Sequence, residues 1–258
     1  MVTLPSAERL PLLMRSIDCY ARQTYETREL VVALDTADAE STAAVCDCVA
    51  SLRRADIRVL PYAGTTSLGA LRNLALRSAR GDLVAVWDDD DICHPHRLEV
   101  QVRELRENDS IAAFLCEVLH LFAPSHELYW TNYKNTVQHC LPGTGVWVRD
   151  AASRYPESGP DSARGEDTAL CLRLMAEGRV RLIDEAAHLY IYVSHGRNTS
   201  GDAHHRMLAR SLAVSRARVL RREAHIRAAL DLSGIELDSI DVHGANGWAF
   251  AWRPPVPR

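Results

Sequence analysis

Four consecutive carboxylates, Asp88-Asp89-Asp90-Asp91, close an apolar run, Leu83-Val84-Ala85-Val86-Trp87. Like charges packed this tightly repel one another, so a fold that keeps them needs a use for them. The apolar run reads as a buried strand, which sets the acids on the loop at its carboxyl end, where open α/β sheets bind ligands. Carboxylates two residues apart suit a hard divalent cation that also holds substrate phosphates. A solvated acidic turn is the plainer alternative, and the strand directly ahead of the acids favours the metal. Trp87 belongs with that strand, in the core. Farther along, Glu166-Asp167 opens a helical stretch. A carboxylate there is kept ionised by the helix dipole and either caps the helix or serves as a base.

The elements that must position these groups follow from periodicity. Leu10, Leu13, Met14, Ile17 and Ala21 recur at helical spacing, and Glu29 to Leu34 is a short apolar strand ending at Asp35. Ser41 is a cap for a helix with the stripe Val45, Cys48, Val49 and Leu52. Ile57 to Leu60 reads as a strand, and Leu68-Gly69 leads a helix that stops at Gly81. This alternation predicts an α/β fold with a mostly parallel central sheet flanked by helices. Beyond it, Leu98, Val102 and Leu105 mark a helix. Ile111 to Leu121 and Leu128 to Tyr133 read as longer, antiparallel strands, and Ser153 to Arg164 as a flexible loop that closes over substrate. A helix from Glu166 and strands at Arg179 to Ile183 and Leu189 to Val193 come next, then one Arg-rich helix from His204 to Leu230 with a solvated face, and a frayed Pro-rich end at Arg253 to Arg258. Met1 to Pro5 reads as the tail of a strand whose opening residues are missing.

Composition excludes several classes. The 258 residues carry 34 acids against 30 bases, a net charge of −4, so nothing draws the chain to nucleic acid or an anionic membrane. Seven scattered cysteines with no C-x-x-C pair argue against a disulfide framework or a zinc site and fit a reducing cytoplasm. There is no apolar run long enough to span a bilayer and no leader, so a cytoplasmic location is expected.

The order of these features resembles the family 2 glycosyltransferases, enzymes of the glycosyltransferase-A, Rossmann-like fold, over residues 1 to 200. Pro5-Ser6-Ala7-Glu8-Arg9 is similar to the family's first strand-to-helix turn, and Gln23-Thr24-Tyr25 with Glu29-Leu30-Val31-Val32 to the approach to its second strand. Asp35 falls where the second of two family acids contacts the nucleotide base. Leu68-Gly69-Ala70-Leu71-Arg72-Asn73 resembles the G-x-x-R-N element, whose arginine belongs to the nucleotide site. Asp88 to Asp91, with Pro95 and Arg97-Leu98 behind them, match D-x-D-D and its trailing P-x-R-L. Gly165-Glu166-Asp167 resembles the E-D motif, and His195-Gly196-Arg197-Asn198-Thr199-Ser200 the H-G-x-N-x-S close. Two departures, Ala7 for an aromatic and Leu34 for the first acid, lie in the nucleotide pocket. The Q-x-x-R-W motif of processive members is absent.

The resemblance implies a catalytic domain over 1–200, with 1–92 its nucleotide-binding half and 93–200 its acceptor half, followed by a C-terminal helical extension and tail over 201–258. It implies a UDP-, GDP- or dTDP-sugar donor, contacted by Pro5, Ser6, Asp35, Gly69, Arg72, Asp88 and Asp89. Mn2+ or Mg2+ would be held by Asp90 and Asp88, with Asp91 and His195 as further ligands; Asp89 points to the opposite side if the segment stays extended. Asp167 is then the general base toward an acceptor hydroxyl, with Glu166 its nearest rival, in an inverting transfer of one sugar per encounter. Arg197 and Asn198 are weaker phosphate-side candidates. His94 and His96 are assigned to turn and packing roles. Gly143-Thr144-Gly145 and Trp147 lie on the acceptor side, where Trp130 or Tyr155 could stack on the acceptor. The alternatives are a sugar-phosphate nucleotidyltransferase, whose G-x-G-x-R signature Pro5 to Arg9 lacks, and an inactive nucleotide-sugar-binding module. Oligomeric state is left open.

Overall fold

Strand and helix alternate through the first ninety residues: β1 (Val2–Thr3), α1 (Leu10–Ala21), β2 (Leu30–Asp35), α2 (Ala39–Ser51), β3 (Ile57–Tyr62), α3 (Leu68–Ser78) and β4 (Leu83–Ala85). The computed structural model describes residues 1–63, 67–150, 154–162 and 164–255. After the acid cluster come β5 (Ile92–Cys93), α4 (Arg97–Glu107), β6 (Ala112–Leu115), β7 (Glu117–Phe122), β8 (Glu127–Asn132), β9 (Val146–Val148), α5 (Glu166–Ala176), β10 (Val180–Ile183) and β11 (Tyr190–Ser194). The chain ends in α6 (Asp202–Leu212), α7 (Arg216–Arg221), α8 (Glu223–Asp231), β12 (Ile240–Gly244) and β13 (Gly247–Trp252).

The strands form three sheets. The first is parallel, in the order β1-β2-β3; the second runs β10-β6-β9-β4; the third runs β13-β12-β8-β7-β11-β5. Leu30 to Leu34 are all buried, as a parallel strand covered on both faces requires. Helix starts have local causes. Asp38, rather than Ser41, caps α2: its carboxylate accepts from the amides of Glu40 and Ser41, and Ser41 only donates its hydroxyl to that carboxylate. Ser67 caps α3 through the Ala70 amide.

Four expectations change. The run Ile111 to Leu121 is two strands, β6 in the second sheet and β7 in the third, with the chain crossing between sheets at Cys116. The Arg-rich stretch is three helices, because Val214 donates its amide to Trp130 and Ala213 bridges Thr131 before Ser215 caps α7. Nor is the extension purely helical: β12 and β13 form a hairpin, and β12 joins β8 in parallel, so the third sheet runs through it. The extension's arginines are not merely solvated. Arg218 pairs with buried Glu117 and lies over the Trp130 ring, Arg206 pairs with Glu127, and Arg227 lies over Phe250. Arg253 to Pro255 are exposed and irregular, while 256–258, like 153 and 163 of the expected loop, lie outside the described residues. Among the described residues, no helix is long and apolar enough to cross a membrane.

His120, on β7, lies under α6. It is buried, stacks on Phe122 at 4.7 Å, and neither ring nitrogen finds a hydrogen-bond partner among the described residues. Burial pushes its pKa down from the ordinary 6.5 to about 3. As pH falls below 6.5 the unfolded chain takes up a proton that the folded chain refuses, so stability is lost down to about pH 3, at about 1.4 kcal/mol per pH unit. In urea unfolding, the His120→Phe variant should lose about 2 kcal/mol less than the parent between about pH 7.5 and pH 5.

Candidate active site

The acid loop hangs between α1, α3, α5 and the end of β11. Past β4 the chain stays buried through Val86 and Trp87, whose indole N–H donates to the Ser16 carbonyl. From α1, the Ser16 hydroxyl donates to the Asp88 carbonyl at 2.7 Å and Arg15 Nη2 to the Asp90 carbonyl at 2.6 Å, which fixes the loop's backbone. Behind the loop lies Arg97, 0 % exposed, with its guanidinium 5.2 Å from the Trp87 ring and 4.8 Å from the Tyr190 ring. It donates to the Val86 carbonyl, Gln101 Oε1 and Cys93 Sγ, each at 3.0 Å. The arginine of the P-x-R-L stretch is therefore a buried cation that supports the loop.

Each of the four acids has its own donor. Asp88 Oδ1 meets Arg72 Nη2 at 3.1 Å. Asp89 is buried and forms a two-pronged pair with Arg9. Asp90 Oδ2 accepts from the same Arg9 at 3.2 Å and lies 3.1 Å from His195 Nε2. Asp91, 2 % exposed, accepts the Tyr190 hydroxyl on one oxygen and the Val193 amide, at 2.8 Å, on the other. Burial and the Asp90 charge raise Asp89; burial and the charges on Asp90 and Asp88 raise Asp91 well above the carboxylate range. Burial works against ionised Asp90 too, yet the hydrogen bond from His195 and the charge of Arg9 outweigh it and lower its pKa. Asp89 does not point away from its neighbours as an extended segment would require, because the chain bends at Asp89 and Asp90 and Arg9 spans both. Asp91, expected as a metal ligand, has both oxygens committed to β11.

The G-x-x-R-N element does three mechanical jobs within one helical turn. A Cβ on Gly69 would overlap the Pro156 carbonyl, so the missing side chain lets the backbone of 155–157 lie on α3. Asn73 clamps that segment, donating to the Tyr155 carbonyl and accepting the Tyr155 amide, each at 2.9 Å. Arg72 bridges the halves: Nη2 reaches Asp88, and Nε reaches Glu166 Oε1 at 3.0 Å. Burial opposes its charge, yet Asp88 and Glu166 hold its pKa well above the ordinary value. Tyr155, buried against Arg72 and Trp147, has no open ring face for an acceptor; Trp130 is also buried, its N–H on Glu117.

Gly165, with φ of +84°, starts α5. Glu166 is 3 % exposed and raised by burial. Asp167 is half-buried, and its Oδ1 accepts the adjacent Thr168 amide at 2.7 Å; it lies within the first turn of α5, whose N-cap is Gly165 and which has no side-chain cap. Its Oδ2 accepts no bond among the described residues. Ser6 opens the turn ahead of α1, its carbonyl taking the amides of Arg9 and Leu10 at 3.1 Å, and thereby places Arg9 at the helix start; Pro5 is half-buried beside it. Asp35 Oδ1 holds the turn after β2 through the Ala37 amide at 2.9 Å. Asn198 accepts the His195 amide and donates to the Val193 carbonyl, each at 2.9 Å, which fixes the H-G-x-N turn; Arg197 makes an exposed pair with Glu8. His94 and His96 pack around Gln23, Thr24 and Glu99, as expected of a turn. Gly143 leaves room for Asp88, whose Oδ2 would stand 3.2 Å from a Cβ there. Arg9, Arg15 and Tyr190 were not anticipated as part of the site, and no spacing rule links residue 9 or 190 to residue 89 or 91.

Asp88 Oδ2 and Asp90 Oδ1 accept no protein bond among the described residues, so these two oxygens are the ones that could accept a divalent cation. No three His, Cys, Asp or Glu side chains among the described residues stand close enough to enclose a cation alone. This fits cations that take one or two carboxylates plus substrate phosphates. Removing Arg72 should unsettle the assembly: Arg72→Met leaves buried Glu166 unpaired and should cost about 3–5 kcal/mol in chemical denaturation. Arg72→Met with Glu166→Gln should recover much of that loss.

The family model described as Glycosyl transferase family 2 matches residues 2–121. Among curated protein sequences, none matches at a significant level. Solved structures do. S. aureus TarS 1–349 in complex with UDP-GlcNAc superposes with a TM-score of 0.59 at 18% identity, over 91% of this chain and 67% of that one. The mannosyltransferase PcManGT from Pyrobaculum calidifontis, in complex with GDP-Man and Mn2+, gives a TM-score of 0.56 at 15% identity, over 88% of this chain and 61% of that one. Residues 2–121 thus match the family 2 glycosyltransferase model, and the chain has the glycosyltransferase-A fold of these structures.

Proposed function

We propose that the chain moves one sugar from a nucleoside-diphosphate sugar to an acceptor hydroxyl, with inversion at the anomeric carbon. The observation that carries this reading is the Arg72 bridge, which ties Asp88 of the acid loop to Glu166 and so holds the loop beside Asp167. The UDP-GlcNAc of TarS and the GDP-Man and Mn2+ of PcManGT support a nucleotide-sugar donor and a divalent cation.

A diphosphate cannot approach four bare carboxylates. Arg72 and Arg9 offset that charge on two sides of the loop. Asp90, His195 and Asp88 would hold Mn2+ or Mg2+, which when bound supplies Lewis-acid stabilisation of the departing diphosphate. Asp167 takes the proton from the acceptor hydroxyl as its oxygen attacks from the face opposite the diphosphate. Geometry separates it from its neighbour: Glu166 is buried against Arg72 and inclined to hold its own proton, whereas Asp167 keeps one carboxylate oxygen open. The position of Asp35 and the Pro5-Ser6 turn at the carboxyl ends of β2 and β1 supports a contact with the nucleoside.

Asp167→Asn should lower transfer by about 10²–10⁴-fold while nucleotide binding is retained; unchanged turnover would remove Asp167 from the mechanism. The released product should be a nucleoside diphosphate and not pyrophosphate, and the glycoside formed should have the opposite anomeric configuration to the donor. In thermal denaturation with UDP, GDP and dTDP, one of them should raise the midpoint only when Mn2+ is present, and Asp90→Asn should abolish that rise.

A further inference from the structure

The seven cysteines are scattered in sequence, yet the fold brings two of them together. Cys140 and Cys171 are 31 residues apart, and their Sγ atoms lie 3.6 Å from one another. No other two cysteine sulfurs are in hydrogen-bond contact among the described residues. Both side chains are buried, in the apolar cluster of Phe114, Trp147, Tyr155, Leu170 and Leu174. Among the described residues, no third His, Cys, Asp or Glu completes a metal set around them. Two thiols are too few for a zinc site but are all that a disulfide needs.

The two thiols stand on unequal supports. Cys171 is on α5, which buries Leu170 and Leu174 and is held at its start by the Glu166 pair with Arg72. Cys140 ends the irregular segment 133–140, where Lys134, Asn135, Val137 and His139 are exposed. That segment bonds mainly to itself: the Thr136 amide donates to the Tyr133 carbonyl, the His139 amide donates to the Thr136 carbonyl, and His139 takes φ of +55°. Its Lys134 reaches Asp184 through a half-exposed ion pair at 2.8 Å. Segments with few buried contacts open locally at low cost, which gives a small reagent a path to thiols that the closed form shields. The hydrogen bond with Cys171, and then burial, push the Cys140 thiol up, so it ionises little until the segment opens.

We propose that Cys140 and Cys171 form a reversible disulfide that ties the 133–140 segment to α5. This is a single redox pair, not the framework that the scattered spacing argues against. Closing it brings the sulfurs from 3.6 Å to about 2.0 Å, and the irregular segment supplies the movement. Hydrogen peroxide is the oxidant. One thiolate attacks a peroxide oxygen to give a sulfenic acid and water, and the other sulfur displaces a second water from it. The sulfurs give up two electrons, the O–O bond takes them, and both thiol protons leave in water. A thiol reductant reverses the bond by exchange. The bond lies one helical turn after Asp167 and just ahead of the 3-10 turn Pro142–Thr144, whose Gly143 faces Asp88. Oxidation therefore braces α5 against that turn.

Trypsin separates the two thiols, since Cys140 falls in 135–149 and Cys171 in 165–173, with no other cysteine in either peptide. The test treats the folded chain with hydrogen peroxide, blocks the remaining thiols and digests it without reductant. The two peptides should appear joined, two hydrogens lighter than their sum, and should separate again with dithiothreitol. The treated chain should melt about 5 °C or more above its reduced form, because the bond closes a loop in the unfolded chain. Cys171→Ala, compared with its own untreated form, should show no such rise. Peptides that stay separate, peptides that join only in urea, an unchanged midpoint in the parent, or an equal rise in Cys171→Ala would each overturn the proposal. None of these readouts depends on sugar transfer, so the proposal stands or falls apart from the transferase mechanism.

Discussion

Four adjacent carboxyl groups must be held within a few ångströms of one another, and the site is arranged around that constraint. A single counter-ion could not do it. The donors come instead from separate parts of the chain: Arg72 from α3, Arg9 from the start of α1, His195 from the turn after β11, and Tyr190 with the Val193 amide from β11 itself. Arg97 supports the same loop from beneath, where no water reaches it. Because each acid meets a different environment, the four do not behave alike. Asp90 is drawn toward the ionised form, while Asp89 and Asp91 are pushed the other way. A uniform run of letters becomes a graded set of groups, and the gradient is set by donors distant in sequence.

Arg72 has a second consequence. A buried ion pair seldom adds net stability, since desolvation offsets most of the attraction. Its value here is positional: one guanidinium fixes the distance between the acid loop and the first turn of α5. Gly69 and Asn73 reinforce the same contact from either side, one by absence of bulk and one by a pair of amide hydrogen bonds. The described part of the segment between β9 and α5 is therefore pinned at Tyr155 and capped by a 3-10 turn at Pro160–Ser162, which is less free than its prolines and glycine suggest.

Local pattern was legible in the sequence wherever the cause was local. The apolar run before the acids, the alternation of the first ninety residues and the helix opening at Glu166 follow from periodicity and turn chemistry, and the structure has them. The cause of Asp91's burial is not local: nothing near residue 91 announces a tyrosine hydroxyl from residue 190. The same holds for Arg9, which reads as one more charged residue of an exposed turn. The C-terminal hairpin was missed for another reason. Residues 240–252 alternate only loosely, and their strand identity depends on the open edge of β8, which tertiary structure alone supplies. Ser41 and Asp38 show the limit of capping rules, since either residue suits the position and the backbone chose the one three residues earlier.

The passage of one continuous stretch from β6 to β7 across Cys116 has a mechanical meaning. A single covalent run serves as an inner strand of two sheets, and Cys116 itself stays bonded to both neighbours, to the Ile183 carbonyl and the Tyr133 amide. Two sheets stitched this way cannot swing about a hinge without tearing backbone pairing on both sides of the seam. A clamshell motion in this half of the molecule would carry that cost, whereas side-chain rotation and movement of surface loops would not.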